Sequence, residues 1–143
     1  MATAYIVDAV RTAGGRRGGK LASWHPVDLA AATLDALVAR SGIDGTKVDD
    51  VIMGCVTQAG QQAMQVGRNA VLAAKNLPDS VPAVTIDRQC GSSQQAMQFA
   101  AQAVMSGTMD VVIAAGVESM TRVPMGSNAM FHMKEGLGHY KSQ

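Results

Sequence analysis

Cys90 is the residue of this sequence that is best placed for covalent chemistry. It stands in the run Asp87-Arg88-Gln89-Cys90-Gly91-Ser92-Ser93, where a short apolar strand gives way to a helical pattern. A thiol at a helix start faces unpaired backbone N–H groups and the positive end of the helix dipole, which favour the thiolate, and Arg88 adds positive charge. The same N–H groups can stabilise an oxyanion. These residues permit a nucleophile, but they show no base, and structural cysteines also occur at helix starts.

Cys55 has a different setting from Cys90. It lies in the apolar run Asp50–Val56, which predicts a buried thiol that acts as a small hydrophobic side chain. Two cysteines in 143 residues predict reduced thiols in the cytoplasm, because they are too few for a disulfide framework.

The segment Gly14–Lys20 has part of the spacing of a phosphate-binding P-loop. Leu21 occupies the position where that motif needs Ser or Thr to bind magnesium. The helical pattern also begins too late, at about Pro26. We therefore predict a solvated turn here and no phosphate site.

The three histidines give no sign of a metal site. His25, His132 and His139 have no metal-ligand spacing with one another or with either cysteine, which predicts that no metal is bound. His25 precedes a helix-opening proline, so we expect it to serve local packing or hydrogen bonding. Asp110 and Glu118 flank an apolar strand, but they do not by themselves define an acid/base pair.

The elements that must position these residues alternate between strand and helix along the chain. We predict an α/β fold in the order β-α-β-α-β-α-β, with a mostly parallel sheet and helices on both faces, because short apolar strands separate the amphipathic helices. Cys90 then lies between the third strand and the third helix. The predicted strands are Ala4–Val7, Asp50–Val56, Pro82–Ile86 and Val111–Ala115, and the predicted helices are Pro26–Arg40, Gln62–Lys75 and Gly91–Met105.

The pattern ends after residue 117. Residues 118–143 are rich in Met and Gly without a clear period, which is typical of a loop region that needs further chain around it. We predict one domain over residues 1–117 and the truncated beginning of a loop domain over residues 118–143.

Composition excludes several classes of protein. Hydrophobic residues make up 48% of the chain and charged residues 16%, which supports a buried core and excludes a disordered chain. The formal net charge is +1, without a basic stripe interleaved with aromatics, so nucleic acid is not expected as a partner. Asp8 interrupts the apolar run that starts at Ala4, so neither a secretion signal nor a membrane span is predicted.

Four segments resemble the thiolase family, the acetyl-CoA C-acyltransferases. The run from Asp87 to Ala96 is similar to the family's nucleophile motif. Val7–Gly14 resembles its first strand and loop, Asp49–Gly54 also matches, and Gly116–Thr121 resembles the strand end that leads into its loop domain.

The resemblance implies that Cys90 is the catalytic nucleophile. It would take the acyl group of a 3-ketoacyl-CoA while acetyl-CoA leaves, and then pass that group to a second coenzyme A; the reverse direction is a Claisen condensation. Coenzyme A thioesters are then the substrates, no cofactor is tightly bound, and the residues that bind coenzyme A are unknown. The resemblance also implies a homodimer or homotetramer formed through the strand Pro82–Ile86.

The resemblance further implies that other groups are required. In the family a second half supplies a Gly-His-Pro histidine, an Asn-Glu-Ala segment and a second cysteine before Gly. Trp24-His25-Pro26 and Gly138-His139-Tyr140 depart from the histidine motif. We therefore expect this chain to be an incomplete N-terminal portion, with the C-terminal half as its partner and no turnover from the 143 residues alone.

Two alternatives stay open from the sequence. One is another condensing enzyme of the thiolase superfamily, and the other is a non-catalytic assembly fragment. Gln94-Gln95 stands where many members carry Leu with Arg or Gln, which is similar to actinobacterial thiolases that act on bulky acyl chains. Acyl-chain preference, reaction direction, and the choice between dimer and tetramer are also left open.

Overall fold

The computed structural model describes residues 3–136, and within that range the chain alternates between helices and parallel strands. Its strands are β1 (Asp50–Gly54), β2 (Ala83–Ile86) and β3 (Val112–Gly116), and its helices are α1 (Pro26–Ser41), α2 (Val66–Ala73), α3 (Ser92–Ser106) and α4 (Ser127–Lys134). Short 3-10 turns cover Gly45–Lys47 and Gly60–Gln62. The predicted α/β class is confirmed.

The strands form one sheet in the order β2-β1-β3, with both pairings parallel. In its register, Gly54 of β1 lies opposite Ile86 of β2 and Gly116 of β3. All three strands therefore end at the same edge of the sheet, which is where α/β proteins place their functional residues.

Alternate residues of β1 point to opposite faces of the sheet, as the pleat requires. Val51 and Met53 belong to the main core, together with residues of α1 and α2. Ile52 packs instead with Ala96 and Ala100 beneath α3. The prediction of helices on both faces is confirmed.

Glycine ends two of the helices. Gly42 follows α1 with φ +70°, and Gly107 follows α3 with φ +77°. Both values lie in the left-handed region, which glycine adopts without a steric clash because it has no Cβ. No helix among residues 3–136 is long and apolar enough to cross a membrane.

The strand predicted at Ala4–Val7 is wrong. Tyr5, Ile6 and Val7 are 81%, 75% and 85% exposed, and the segment forms no ladder with the sheet. The reason is that a strand needs a partner backbone, and β1, β2 and β3 pair only with one another in the described part of the chain. The segment is tied to α1 by an ion pair between Asp8 and Arg40 at 2.6 Å.

Helix α4 is an element that the sequence pattern did not reveal. It lies inside the region predicted to be irregular, and its residues form no apolar stripe at helical spacing. The division of the chain at residue 117 stays a prediction.

Candidate active site

Cys90 lies on the loop between the end of β2 and the start of α3, at the carboxyl edge of the sheet. We call residues 87–91 the Cys90 turn. Cys90 is exposed, whereas Cys55 is buried. The predicted position of Cys90 at a strand-to-helix junction is confirmed, and its catalytic role stays a prediction.

Two backbone hydrogen bonds close the Cys90 turn. The N–H of Gly91 donates to the carbonyl of Arg88 at 3.1 Å, and the N–H of Ser92 donates to the carbonyl of Gln89 at 3.0 Å. Gln89 has φ +49°, a left-handed conformation that is uncommon for a residue with a side chain. The chain thus reverses sharply at Cys90 and presents its side chain outside the fold.

The first turn of α3 begins two residues after Cys90 and offers backbone N–H groups. The first bond along the helix runs from the N–H of Gln95 to the carbonyl of Gly91 at 2.9 Å. Within residues 3–136, the N–H groups of Ser93 and Gln94 donate no backbone hydrogen bond outside the helix. Free N–H groups at a helix start stabilise negative charge, so they suit a carbonyl oxygen under attack by Cys90.

A pair of glycines seats α3 against the sheet. Gly54 and Gly116 are register partners at the ends of β1 and β3, and we call them the glycine seat. A Cβ on Gly54 would lie 2.4 Å from the backbone nitrogen of Ser93, and one on Gly116 would lie 2.6 Å from the Cβ of Ser93. Both distances are far below van der Waals contact, so the close approach of α3 requires glycine at each position. We therefore expect the seat to fix the position of Cys90 relative to the sheet edge.

Glu118 joins the loops that leave β1 and β3. Its Oε2 accepts the N–H of Val56 at 2.7 Å, and its Oε1 accepts the N–H of Thr57 at 3.2 Å and Nε2 of Gln62 at 3.0 Å. Gln62 is fully buried, and its Oε1 accepts the N–H of Ser119 at 2.6 Å. Hydrogen bonds to a charged acceptor are stronger than neutral ones, so this carboxylate holds together the loops that follow β1 and β3 at the carboxyl edge of the sheet.

The sequence pattern does not reveal the role of Glu118 and Gln62. It predicts only that Glu118 flanks a strand and that Gln62 begins a helix. Their mutual hydrogen bond joins residues that are 56 positions apart. The one signal for this role in the sequence is an acidic residue two positions after the end of an apolar strand.

Cys55 is a buried thiol with little thiolate character. Its side chain is 1% exposed, at the end of β1. Burial raises the pKa of the thiol to about 12, and the nearby carboxylate of Glu118 adds to this increase. The prediction that Cys55 is a buried thiol is confirmed.

Other candidate residues serve local structure. Nδ1 of His25 accepts the N–H of Val27 at 3.3 Å and so caps α1, in agreement with its predicted local role. The Gly14–Lys20 segment is an exposed turn, held in part by a hydrogen bond from the N–H of Gly18 to Oγ1 of Thr121 at 3.2 Å.

The remaining histidines lie outside what the structure describes. This applies to the side chain of His132 and to the whole of His139. Among the described residues, no three His, Cys, Asp or Glu side chains gather as they would around a metal ion.

The pair Gln94-Gln95 is divided between surface and core. Gln94 is exposed, whereas Gln95 is buried at 8% exposure. Only Gln94 is therefore free to meet a ligand in this arrangement.

Comparisons with known proteins agree with this architecture. The family described as thiolase, N-terminal domain, matches residues 4–142. The solved structure of the acetyl-CoA acetyltransferase of Bacillus anthracis superposes with a TM-score of 0.69 at 42% identity, over 75% of this chain and 27% of that one.

Curated relatives extend the same result. The steroid 3-ketoacyl-CoA thiolase FadA6 of Mycobacterium tuberculosis is 56% identical over 127 residues, which cover 89% of this chain and 31% of the relative. The beta-ketoadipyl-CoA thiolase of Acinetobacter baylyi is 48% identical over 125 residues, covering 87% and 31%. This chain thus spans about a third of the length of the curated relatives that it matches.

Proposed function

Because this chain belongs to the thiolase family, we propose that the protein containing it transfers acyl groups between coenzyme A thioesters and that Cys90 is the acyl-accepting nucleophile. The observation that carries the proposal is an exposed thiol on a tight turn at the start of α3, beside free N–H groups. In its favour, both a nucleophile and a donor for the oxyanion come from one short segment.

The reaction can be written from Cys90 outward. In thiolysis the sulfur attacks the keto carbonyl of a 3-ketoacyl-CoA, and the backbone N–H of Gln94 lies at the same helix start to stabilise the oxyanion. The bond between the keto carbon and the methylene carbon that joins it to the thioester then breaks, and the electron pair left on the methylene carbon takes a proton to give acetyl-CoA. The thiol of a second coenzyme A attacks the acyl-cysteine, which gives the shortened acyl-CoA and restores the Cys90 thiol.

Two proton transfers in this scheme need groups besides Cys90. One must remove the proton of the thiol, and another must deliver a proton to the departing acetyl carbon. Cys55 cannot serve, because burial raises its pKa to about 12 and leaves it without access to substrate. By resemblance to the family, we assign these transfers to a histidine and a second cysteine of the C-terminal half.

Trapping of the acyl-enzyme tests the proposal. The complete protein is incubated with acetyl-CoA or acetoacetyl-CoA and quenched in acid, and its peptides are analysed by mass spectrometry. We expect one acetyl group on the Cys90 peptide and a loss of turnover of at least about a thousandfold in Cys90→Ala, since nucleophile removal has effects of this size or larger. Cys55→Ala is the matched control and should still be acylated.

Two results would contradict the proposal that Cys90 is the nucleophile. An acetyl group found on another residue would move the nucleophile away from Cys90. Unchanged turnover in Cys90→Ala would favour a non-catalytic assembly role for this segment.

We also propose that the protein is a homo-oligomer that pairs through β2. In its favour, β2 is an edge strand of the described sheet, and Val84 on it is 37% exposed. An open strand edge is a ready template for a second copy related by two-fold symmetry. Light scattering on the complete protein at micromolar concentration should give at least twice the protomer mass, and Val84→Lys should lower it. A mass of one protomer for the unmodified protein would refute the pairing.

A cytoplasmic location is the last part of the proposal. Its support is chemical, because an acyl-accepting thiol works only while it stays reduced, as thiols do in that compartment. Recovery of the protein in a periplasmic or secreted fraction would contradict it.

A further inference from the structure

Ser92, the first residue of α3, has its hydroxyl inside the turn that carries the candidate nucleophile. The residue is 4% exposed. Its Oγ accepts the N–H of Arg88 at 2.9 Å and donates to the carbonyl of Gln89 at 2.6 Å. Asp87 adds a bond from the other side, where its Oδ1 accepts the N–H of Gln89 at 2.7 Å. One buried hydroxyl therefore links the helix to both residues that precede Cys90.

The conformation of Gln89 explains why such a link is needed. Its φ of +49° is unfavourable for a residue with a Cβ, and such a conformation persists only where the surroundings fix it. The hydroxyl of Ser92 holds the carbonyl of Gln89, and the carboxylate of Asp87 holds its N–H. Without the hydroxyl, the N–H of Arg88 loses its hydrogen-bond partner, and the carbonyl of Gln89 keeps only its bond from the backbone N–H of residue 92, so the turn is held less firmly.

We propose that Ser92 is a positioning residue for Cys90. Its hydroxyl keeps the Cys90 turn in the strained form that directs the sulfur outward at the start of α3, where a thioester carbonyl meets both the thiol and the helix N–H groups. The inference rests on the proposed function, because it concerns the acylation of Cys90. It predicts an effect on the acylation step and not on the binding of coenzyme A.

The test compares variants of the complete protein. Rapid quenching measures the rate of Cys90 acylation by acetyl-CoA, and steady-state assays give kcat and KM. In Ser92→Ala we expect acylation and kcat to fall at least about tenfold, because misplacing a reacting group by about 1 Å can cost about a hundredfold. KM should change by less than about twofold, because Ser92 is buried and has little surface with which to contact coenzyme A. Ser92→Thr keeps the hydroxyl and should restore most of the rate.

Ser106→Ala is the matched control. Ser106 ends the same helix, and its Oγ donates to the carbonyl of Ala103 at 2.8 Å, so the variant loses the same kind of bond far from Cys90. It should acylate at the rate of the unmodified protein. An equal loss of rate in Ser106→Ala and Ser92→Ala would show a general weakening of α3 and would overturn the inference.

The remaining outcomes separate this inference from the proposed function. Acylation of Ser92→Ala at the normal rate, with none in Cys90→Ala, would overturn the role of Ser92 and leave the nucleophile in place. Acylation that persists in Cys90→Ala would overturn the proposed function itself. Should Ser92→Ala fail to fold, Ser92→Thr and Ser92→Val differ chiefly in the hydroxyl: a much slower valine variant supports the inference, and equal rates overturn it.

Discussion

Iodoacetamide at pH 7 should modify Cys90 of the folded protein at least about a thousand times faster than Cys55. The thiolate is the reactive form, and a pKa of about 12 leaves only about one Cys55 in a hundred thousand ionised at this pH. An ordinary exposed thiol is a few per cent ionised under the same conditions. Burial of Cys55 at 1% exposure adds a steric barrier, whereas Cys90 is exposed.

The measurement is a time course of peptide labelling by mass spectrometry, in which both cysteines are read from the same sample. Labelling in urea is the control, because unfolding removes burial and should bring the two rates close together. Similar rates for Cys55 and Cys90 in the folded protein would show that the carboxyl end of β1 opens freely. The assignment of Cys90 as the reactive thiol would then lose the support that the burial of Cys55 gives it.

Replacing Gly54 should be among the most destabilising single changes in this domain. Gly54→Ala places a Cβ 2.4 Å from the backbone nitrogen of Ser93 and 2.5 Å from the carbonyl carbon of Ser92. Backbone atoms cannot rotate away as a flexible side chain can, so α3 must lift from the sheet. We expect a loss of about 3 kcal/mol in the free energy of unfolding and a still larger loss in Gly54→Val.

Gly14→Ala is the matched control for this experiment. A Cβ at Gly14 meets no atom within 4 Å, and its φ is not in the left-handed region. Urea unfolding of the complete protein should leave Gly14→Ala within about 0.5 kcal/mol of the unmodified protein. If Gly54→Ala were equally mild, α3 would be able to shift without cost, and the glycine seat would not fix the position of Cys90.

Much of the fold could be predicted because its signals are local. The apolar run at Asp50–Val56 became β1, and the helical pattern at Gly91–Met105 became α3 with a shift of one residue at each end. The run Ala4–Val7 carries the same kind of local signal yet lies outside the described sheet. Strand pairing depends on which backbones meet, and no periodicity within four residues contains that information.

The candidate site also combines local features, which the sequence predicts, with long-range contacts, which it does not. Cys90 could be placed at a helix start because the strand, the turn and the helix that define it are consecutive. The glycine seat could not be predicted, since Gly54 and Gly116 are 62 positions apart and meet only through the register of β1 with β3. The hydrogen bonds of Glu118 have the same origin. The reactive residue is thus easier to find from the sequence than the distant residues that hold it in place.

The glycine seat also restricts how this domain can evolve. An alanine at Gly116 would meet the side chain of Ser93, at its Cβ, so a change of Ser93 to glycine removes the conflicting atom. An alanine at Gly54 meets backbone atoms of α3, which every amino acid shares, and no substitution at Ser92 or Ser93 removes them. Gly116 can therefore be replaced along a two-step mutational path that passes through Ser93. Gly54 can change only if the angle at which α3 leaves the Cys90 turn changes too.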